Sequence, residues 1–418
     1  MKKTKNKILN DPIYGFISIP SELIYKIIEH TYFQRLRRIS QLGLSYLVYP
    51  GAHHTRFHHA IGAMHLMQKA ILVLKNKGVR INELEEEGLL IAILLHDIGH
   101  GPFSHALEHS LVNNISHESI SIEFMKELNS IFKGRLSLAI KIFQNKYKKK
   151  FLHQLISSQI DVDRLDYLNR DSFYSGVAEG IVNSTRIIDM YNVFNGNLVV
   201  DYKGIYTIEK FLLSRKLMYL QVYMHKTVLS AEHTLMNILK RAKYLASNNI
   251  SIFSTNNLKK FLSSEINMND KKNILENLKL FSKLDDYDIM TSIKEWQNSN
   301  DLILSCLSKQ IIQRKLHKIH EIDEKDAKYI LKQTKKKLNK KYIKKNSDSE
   351  YFVFLLQTKH KIYTPKKNPI NVLNMKKNKL ELSSIEKELN FNKKQNTIVK
   401  NFICYHPSIQ RRRKNNEF

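Results

Sequence analysis

What most constrains this chain is where its histidines fall. Eleven of the 18 lie between His30 and His117. A buried imidazole needs a hydrogen-bond or metal partner, so a chain that clusters histidines is tied to a fold that uses them. The densest stretches are His53-His54-Thr55-Arg56-Phe57-His58-His59 and His96-Asp97-Ile98-Gly99-His100-Gly101-Pro102-Phe103-Ser104-His105. The pair His96-Asp97 follows an uncharged apolar run at residues 89–95, so it is expected to end a buried helix. A carboxylate there needs a counter-charge, and a metal ion is one of few adequate ones. Adjacent His and Asp reach one ion only from a bent backbone, which Gly99 is expected to permit. Mixed nitrogen and oxygen donors suit Mn, Fe, Zn or Mg. Downstream, Asp161, Asp163, Asp166 and Asp171 crowd four acids into a short stretch, which is costly without a cation nearby. A His-Asp dipeptide alone fits a capped helix end equally well; the ordered set carries the metal reading.

Gly and Pro are scarce, at 13 and 7 of 418 residues, which favours helix. Helical periodicity starts at Ser21 and runs through about 56–77, 81–96 and 207–248. Asn195-Gly196-Asn197 between Val193-Phe194 and Leu198-Val199-Val200 reads as a small hairpin. Residues 351–356 and 361–363 read as strands. The length predicts two units, placed at 1–249 and 250–418. The fold class is therefore mainly α, a helical core with a small β-hairpin and a smaller α+β C-terminal region.

The net charge is +29, and residues 301–418 hold 29 Lys and Arg against 11 Asp and Glu. Such a basic surface attracts nucleotides, nucleic acid or acidic lipid, although a solvated Lys-rich surface is the plain alternative. Cys306 and Cys404 are too few for a disulfide framework, and no apolar run is long enough for a signal core or membrane span. A soluble cytoplasmic protein with no membrane partner is expected.

Six stretches resemble the HD-domain superfamily, and within it the deoxynucleoside triphosphate (dNTP) triphosphohydrolases, a branch that includes animal enzymes joining a sterile-alpha-motif domain to an HD domain. They are Phe33-Gln34-Arg35-Leu36-Arg37-Arg38, Gln41-Leu42-Gly43, Tyr49-Pro50-Gly51-Ala52, Arg56-Phe57-His58-His59, His96 through His105, and Asp161 through Asp171. The resemblance covers roughly residues 10–235. It implies metal-dependent hydrolysis of dNTPs to deoxynucleoside and inorganic triphosphate, with His59, His96, Asp97 and Asp163 as ligands of a divalent ion. Asp161 and Asp166 match no ligand position and are expected to orient neighbours or cap helices. The resemblance further implies that Arg56, Arg164 and Arg215 contact phosphates, and that Gln41, Leu42, Tyr167, Asp171 and Tyr223 surround the deoxyribose.

His100, His105 and His117 match the branch's non-ligand active-site histidines. His105 and Glu108, spaced i,i+3, are the preferred acid/base pair, with His117 as the rival proton donor. Family members are commonly homo-oligomers ordered by an activating nucleotide. Arg37 and the run Arg314-Lys315-Leu316-His317-Lys318 resemble basic residues of those regulatory sites, although the run also fits an exposed helical face. His30 stands where the animal enzyme has a guanine-reading acid. Two other readings fit the sequence. One is an HD phosphohydrolase acting on another nucleotide or on a nucleic-acid end. The other is a basic nucleic-acid-binding protein without catalysis.

Overall fold

The computed structural model describes residues 7–103, 115–263, 266, 270, 273–338, 345–361, 363, 369–374, 376, 378–384 and 397–409. The chain opens with an antiparallel hairpin of β1 (Ile8–Asp11) and β2 (Gly15–Ser18). Helix α1 (Glu22–Glu29) buries Leu23, Ile24, Ile27 and Ile28, and its N-cap Ser21 accepts from the Ile24 amide. Two long helices follow. Helix α2 (Arg56–Asn76) is buried along most of its length. Helix α3 (Glu83–Leu94) starts at a capping box between Asn82 and Glu85 and buries the whole uncharged run. It ends at Leu94, so His96-Asp97 lies just beyond its last turn, as the sequence predicts. A helix resuming near Phe103 was also predicted. Phe103 itself is left-handed, with φ 48°, and residues 104–114 are outside those described.

Helix α4 (His117–Ile131) follows, and then helix α5 (Val162–Ser175), while α2 packs on both α3 and α5. The side chain of Asp161 caps α5 at its N-terminus, and Gly176 ends the helix with φ 74°. The predicted hairpin is present as β3 (Tyr191–Phe194) and β4 (Asn197–Asp201). The single helix predicted over 207–248 is instead two. Helix α6 (Ile205–Met218) passes into a π-helical turn, Tyr219–Tyr223, before α7 (Lys226–Ser247) starts afresh. The imidazole of His225 accepts the Thr227 amide and so caps α7. A cap made by histidine leaves no signal in the apolar period, which is why the break is invisible in sequence.

Beyond residue 250, helices α8 (Asp286–Trp296), α9 (Leu302–Ile312) and α10 (Ala327–Lys336) alternate with short strands. Strands β5 (Lys318–Glu321), β6 (Val353–Lys361) and β9 (Thr397–Tyr405) form one antiparallel sheet in the order β5-β9-β6. Strand β6 takes in most of the strand predicted at 351–356 but, of the one predicted at 361–363, only Lys361, because β9 supplies partners in register from Val353 to Lys361. Strands β7 (Asn371–Leu373) and β8 (Lys379–Glu381) extend the hairpin into a sheet of order β3-β4-β7-β8, with Val200 opposite Val372. The stretches before and after residue 250 thus share a sheet and one hydrophobic core reaching from Ile17 to Ile409. No helix among the described residues is long and apolar enough to cross a membrane.

Candidate active site

His59 projects from the first turns of α2, His96 and Asp97 from just past α3, and Asp163 from the first turn of α5. The three elements bring these four side chains to one point. His59 Nε2 lies 3.1 Å from Asp163 Oδ1, 3.3 Å from His96 Nε2 and 3.9 Å from Asp97 Oδ2. His96 Nε2 lies 3.4 Å from Asp97 Oδ1 and 3.5 Å from Asp163 Oδ1. The other nitrogen of each imidazole is already engaged. His59 Nδ1 is 2.7 Å from Asp166 Oδ2, and His96 Nδ1 is 2.6 Å from the Ile93 carbonyl. With those nitrogens donating, both Nε2 atoms present lone pairs to each other and to two carboxylates. That donor set fits a divalent cation and suits little else. Burial opposes charge on His59, yet its hydrogen bonds to Asp163 and Asp166 outweigh burial and lift its pKa to about 10, so a proton takes the Nε2 lone pair wherever a cation does not. The site therefore draws positive charge.

A buried ionic chain supports this cluster from behind. Arg170 grips Asp166 through two bonds of 2.9 and 3.0 Å and reaches Asp11 at 2.8 Å. The chain passes directly over Gly62 of α2, where a Cβ would lie 2.1 Å from both Arg170 Nη2 and Asp166 Oδ1. On the other side, the fully buried Arg35 donates to the carbonyls of Ile98, His100 and Leu284, pinning the segment after Asp97. The i,i+4 spacing of Asp166 and Arg170 could have signalled their pairing. The roles of Asp11, Arg35 and Gly62 depend on chain segments far apart in sequence.

Gly99 does not serve as the sequence suggested. It is not among the glycines with positive φ. A Cβ at Gly99 would instead meet the backbone of α4, 2.2 Å from the His117 carbonyl and 2.4 Å from the Ser121 nitrogen. The same close approach lets Ser121 Oγ accept from the Gly99 amide and donate to the His96 carbonyl. Gly99→Ala is expected to force these backbones apart, costing about 1–3 kcal/mol or more. It should lower both the melting temperature and the metal content; an alanine protein that melts and loads metal normally would contradict this packing role.

Beside the cluster lies a cavity of about 360 Å³. Gln41, Leu42, Arg56, Tyr167, Asp171 and Tyr223 all line it, six of the eight residues predicted for substrate. Arg56 joins it to the cluster, since its Nη1 lies 2.5 Å from Asp97 Oδ2. Burial works to raise the Asp97 pKa, but His96, His100 and Arg56 hold it well below the usual carboxylate range. Asp171 is fixed by His54 Nε2 at 2.7 Å and by the Tyr223 hydroxyl at 2.6 Å. The π-helical turn supplies Tyr219 and Tyr223, while Glu232 from α7 and Thr358 and Lys359 from β6 also line the cavity. None of Tyr219, Glu232, Thr358 and Lys359 carries a sequence signal for this role.

Arg164 and Arg215 are not among the residues lining this cavity, and both charges act on the Tyr167 hydroxyl. Arg164 pairs with Asp161, and Arg215 donates to Gln159 at 3.0 Å. The buried Nε atoms of both lack a partner among the described residues, as does Gln41 Oε1. His100 stacks on His117 with ring centres 3.8 Å apart, and burial, with Arg56 nearby, pushes the His100 pKa down to about 3. His105 and Glu108 lie outside the described residues. The predicted regulatory residues are dispersed over several elements. Arg37 stacks on the Phe57 ring at 3.6 Å, Arg314 donates to the Leu47 carbonyl, and Lys318 opens β5. The run 314–318 is not a helical face: α9 ends at Ile312, Arg314 is left-handed with φ 53°, and Leu316 and His317 are buried.

Residues 56–171 match the HD domain, and residues 182–251 match the HD associated region. A solved phosphohydrolase (BT4208) from Bacteroides thetaiotaomicron aligns with a TM-score of 0.90 at 44% identity, over 97% of this chain and 100% of that one. The uncharacterized protein YwfO of Bacillus subtilis is 32% identical over 330 residues, 77% of this chain and 73% of YwfO. The deoxynucleoside triphosphate triphosphohydrolase SAMHD1 homolog of Dictyostelium discoideum is 32% identical over 260 residues, 57% of this chain and 50% of its own length.

Proposed function

The chain belongs to the HD-domain phosphohydrolases, and we propose that it hydrolyses dNTPs to deoxynucleoside and inorganic triphosphate. The observation that carries this reading is the cavity lined by Leu42, Tyr167, Asp171 and Tyr223 that joins the His/Asp cluster through Arg56. A nucleoside fits beside the aromatic wall while its phosphates face Arg56 and the cluster. His59, His96, Asp97 and Asp163 would hold the divalent ion. When bound, such an ion supplies Lewis acidity toward a phosphoryl oxygen and toward water.

Arg56 neutralises phosphate charge and orients it, and the Arg164 and Arg215 guanidiniums add positive potential near Tyr167. The Asp171 carboxylate and the Tyr223 hydroxyl are bonded to each other, and His54 holds the second Asp171 oxygen. These bonds fix the Asp171 carboxylate and the Tyr223 ring in place, and Leu42 offers a ribose 2′-hydroxyl no partner. An apolar wall of this kind rejects an added hydroxyl by about a hundredfold at most. His105, paired with Glu108 on sequence spacing alone, is the proposed proton donor to the leaving 5′-oxygen, with His117 as the alternative. Arg37, Arg314 and Lys318 are proposed to grip an activating nucleotide between copies of the chain.

Chromatography of the products from each dNTP, with Mn or Mg added, tests the reading. Deoxynucleoside and inorganic triphosphate are expected in equal amounts. Pyrophosphate with deoxynucleoside monophosphate, or turnover only of other phosphoesters, would overturn it.

A further inference from the structure

Two parts of the cavity lining are fastened to one short stretch, residues 284–286 where α8 begins. Arg35 donates to the Leu284 carbonyl while it holds the carbonyls of Ile98 and His100. Arg38 pairs with Asp285, which accepts the Tyr287 amide and so caps α8. Asp286 makes the most direct link. Its Oδ2 accepts the Ser40 amide at 2.8 Å, and its Oδ1 accepts the Phe103 amide at 3.0 Å. Both bonded positions bear on the cavity. Ser40 leads into Gln41 and Leu42, which line it, and bridges to Thr55, the residue before Arg56. Phe103 lines it directly, and its φ of 48° is one that a bulky side chain rarely adopts. Such a backbone persists only where its surroundings over-determine it, and the bond to Asp286 is one such restraint. His105, the proposed proton donor, follows two residues later in the chain.

We propose that Asp286 is a positioning residue for the reaction, a clamp that joins the Ser40–Gly43 segment to Phe103 and fixes these two parts of the cavity lining relative to each other. This rests on the dNTP reading of the cavity. A carboxylate suits the task, because it offers two separate acceptor oxygens and no donor. Asn in its place would keep one acceptor and turn an amino group toward the other backbone N–H. The charge is kept at a cost. Asp286 is 8% exposed, and burial lifts its pKa to about 6, with Asp285 adding to the rise and the bonds from Ser40 and Phe103 opposing it. Arg35 and Tyr46 also feel its charge, and Arg38 is engaged by Asp285. Because the pKa is raised on folding, ionised Asp286 destabilises the fold above about pH 6, and the penalty fades as pH falls toward the ordinary carboxylate range. Fold stability alone therefore does not call for this charge, whereas two amides that need acceptors do. Protonation leaves one oxygen as acceptor and makes the other a hydroxyl. The clamp is thus complete above about pH 6 and half open below it.

Hydrogen exchange on the native protein tests the clamp without any variant. Protection of the Ser40 and Phe103 amides, corrected for the intrinsic rate, should fall severalfold between pH 8 and pH 5.5, while amides in the middle of α2 keep theirs. Asp286→Asn should show the low protection at both pH values, with native metal content. Its kcat/KM for dNTPs should fall by about ten- to a hundredfold at pH 8, the scale of a small misplacement of reacting groups. At pH 5.5 the native-to-variant ratio should shrink severalfold, because the native clamp is then half open, and titrations common to both proteins cancel in the ratio. Unchanged protection of the two amides across this range, or a ratio that is the same at both pH values, would overturn the clamp. Should Asp286→Asn fail to fold, the native exchange profile alone decides. The expected exchange profile in a protein that hydrolyses no dNTP would uphold the clamp and sink the dNTP reading.

Discussion

Asp163→Ala is expected to leave a folded protein that binds no divalent metal at the cluster and hydrolyses dNTPs at a thousandth of the native rate or less. Asp163 Oδ1 lies near both imidazoles, 3.1 Å from His59 Nε2 and 3.5 Å from His96 Nε2. Burial opposes its ionisation, but His59 and His96 hold its pKa well below the usual carboxylate range. The carboxylate is thus committed as an anion in a site that draws cations. Losing it leaves two imidazoles and Asp97, and Asp97 is already paired with Arg56, so the remaining donors are expected to hold an ion far more weakly. A catalytic ion contributes several kcal/mol to the transition state, and about 1.4 kcal/mol corresponds to tenfold in rate, so ~10³-fold is the expected minimum. Metal analysis of the purified variant beside the product assay checks both halves. Normal metal content in a folded Asp163→Ala protein would show that the ion sits elsewhere.

Arg170→Met is expected to be nearly as damaging, although Arg170 approaches neither metal nor substrate. It is fully buried, and its guanidinium lies between Asp166 and Asp11, which are 0% and 5% exposed. Methionine fills much of the volume but leaves two buried carboxylates without their cation. Breaking a buried pair in this way costs about 3–5 kcal/mol. The effect should also reach the metal, because Asp166 holds His59 Nδ1 at 2.7 Å and fixes which nitrogen faces the ion. Loss of such an outer partner lowers metal affinity by about 10–100-fold. Thermal unfolding and metal titration therefore report the same substitution by independent routes. A variant that melts normally, or one that melts early but keeps native metal affinity, would contradict the coupling between Arg170 and His59.

The two substitutions divide what the sequence reveals from what it conceals. The pattern of His and acid around His96-Asp97 was legible because a metal site needs particular donor atoms, whereas the family resemblance singled out His59, His96, Asp97 and Asp163, four side chains that the fold places together. The cavity residues Gln41, Leu42, Tyr167, Asp171 and Tyr223 were legible through resemblance alone, since none has a spacing that demands its role. The helices α1 and α2 and the β3–β4 hairpin followed from periodicity and turn residues, which are local. Arg170, Asp11, Arg35 and Gly62 were hidden. Their purpose is a contact between segments as distant as Arg35 and Leu284, and no local pattern encodes a long-range partner. Gly99 shows the same limit: the sequence suggested a bend, whereas the structure requires a glycine because α4 passes too close for a Cβ. Chain composition and local order thus determined the chemistry available to this protein. Tertiary packing decided which buried charges orient that chemistry, and it brought Glu232 and Lys359, from a helix and a strand more than a hundred residues apart, to the same cavity.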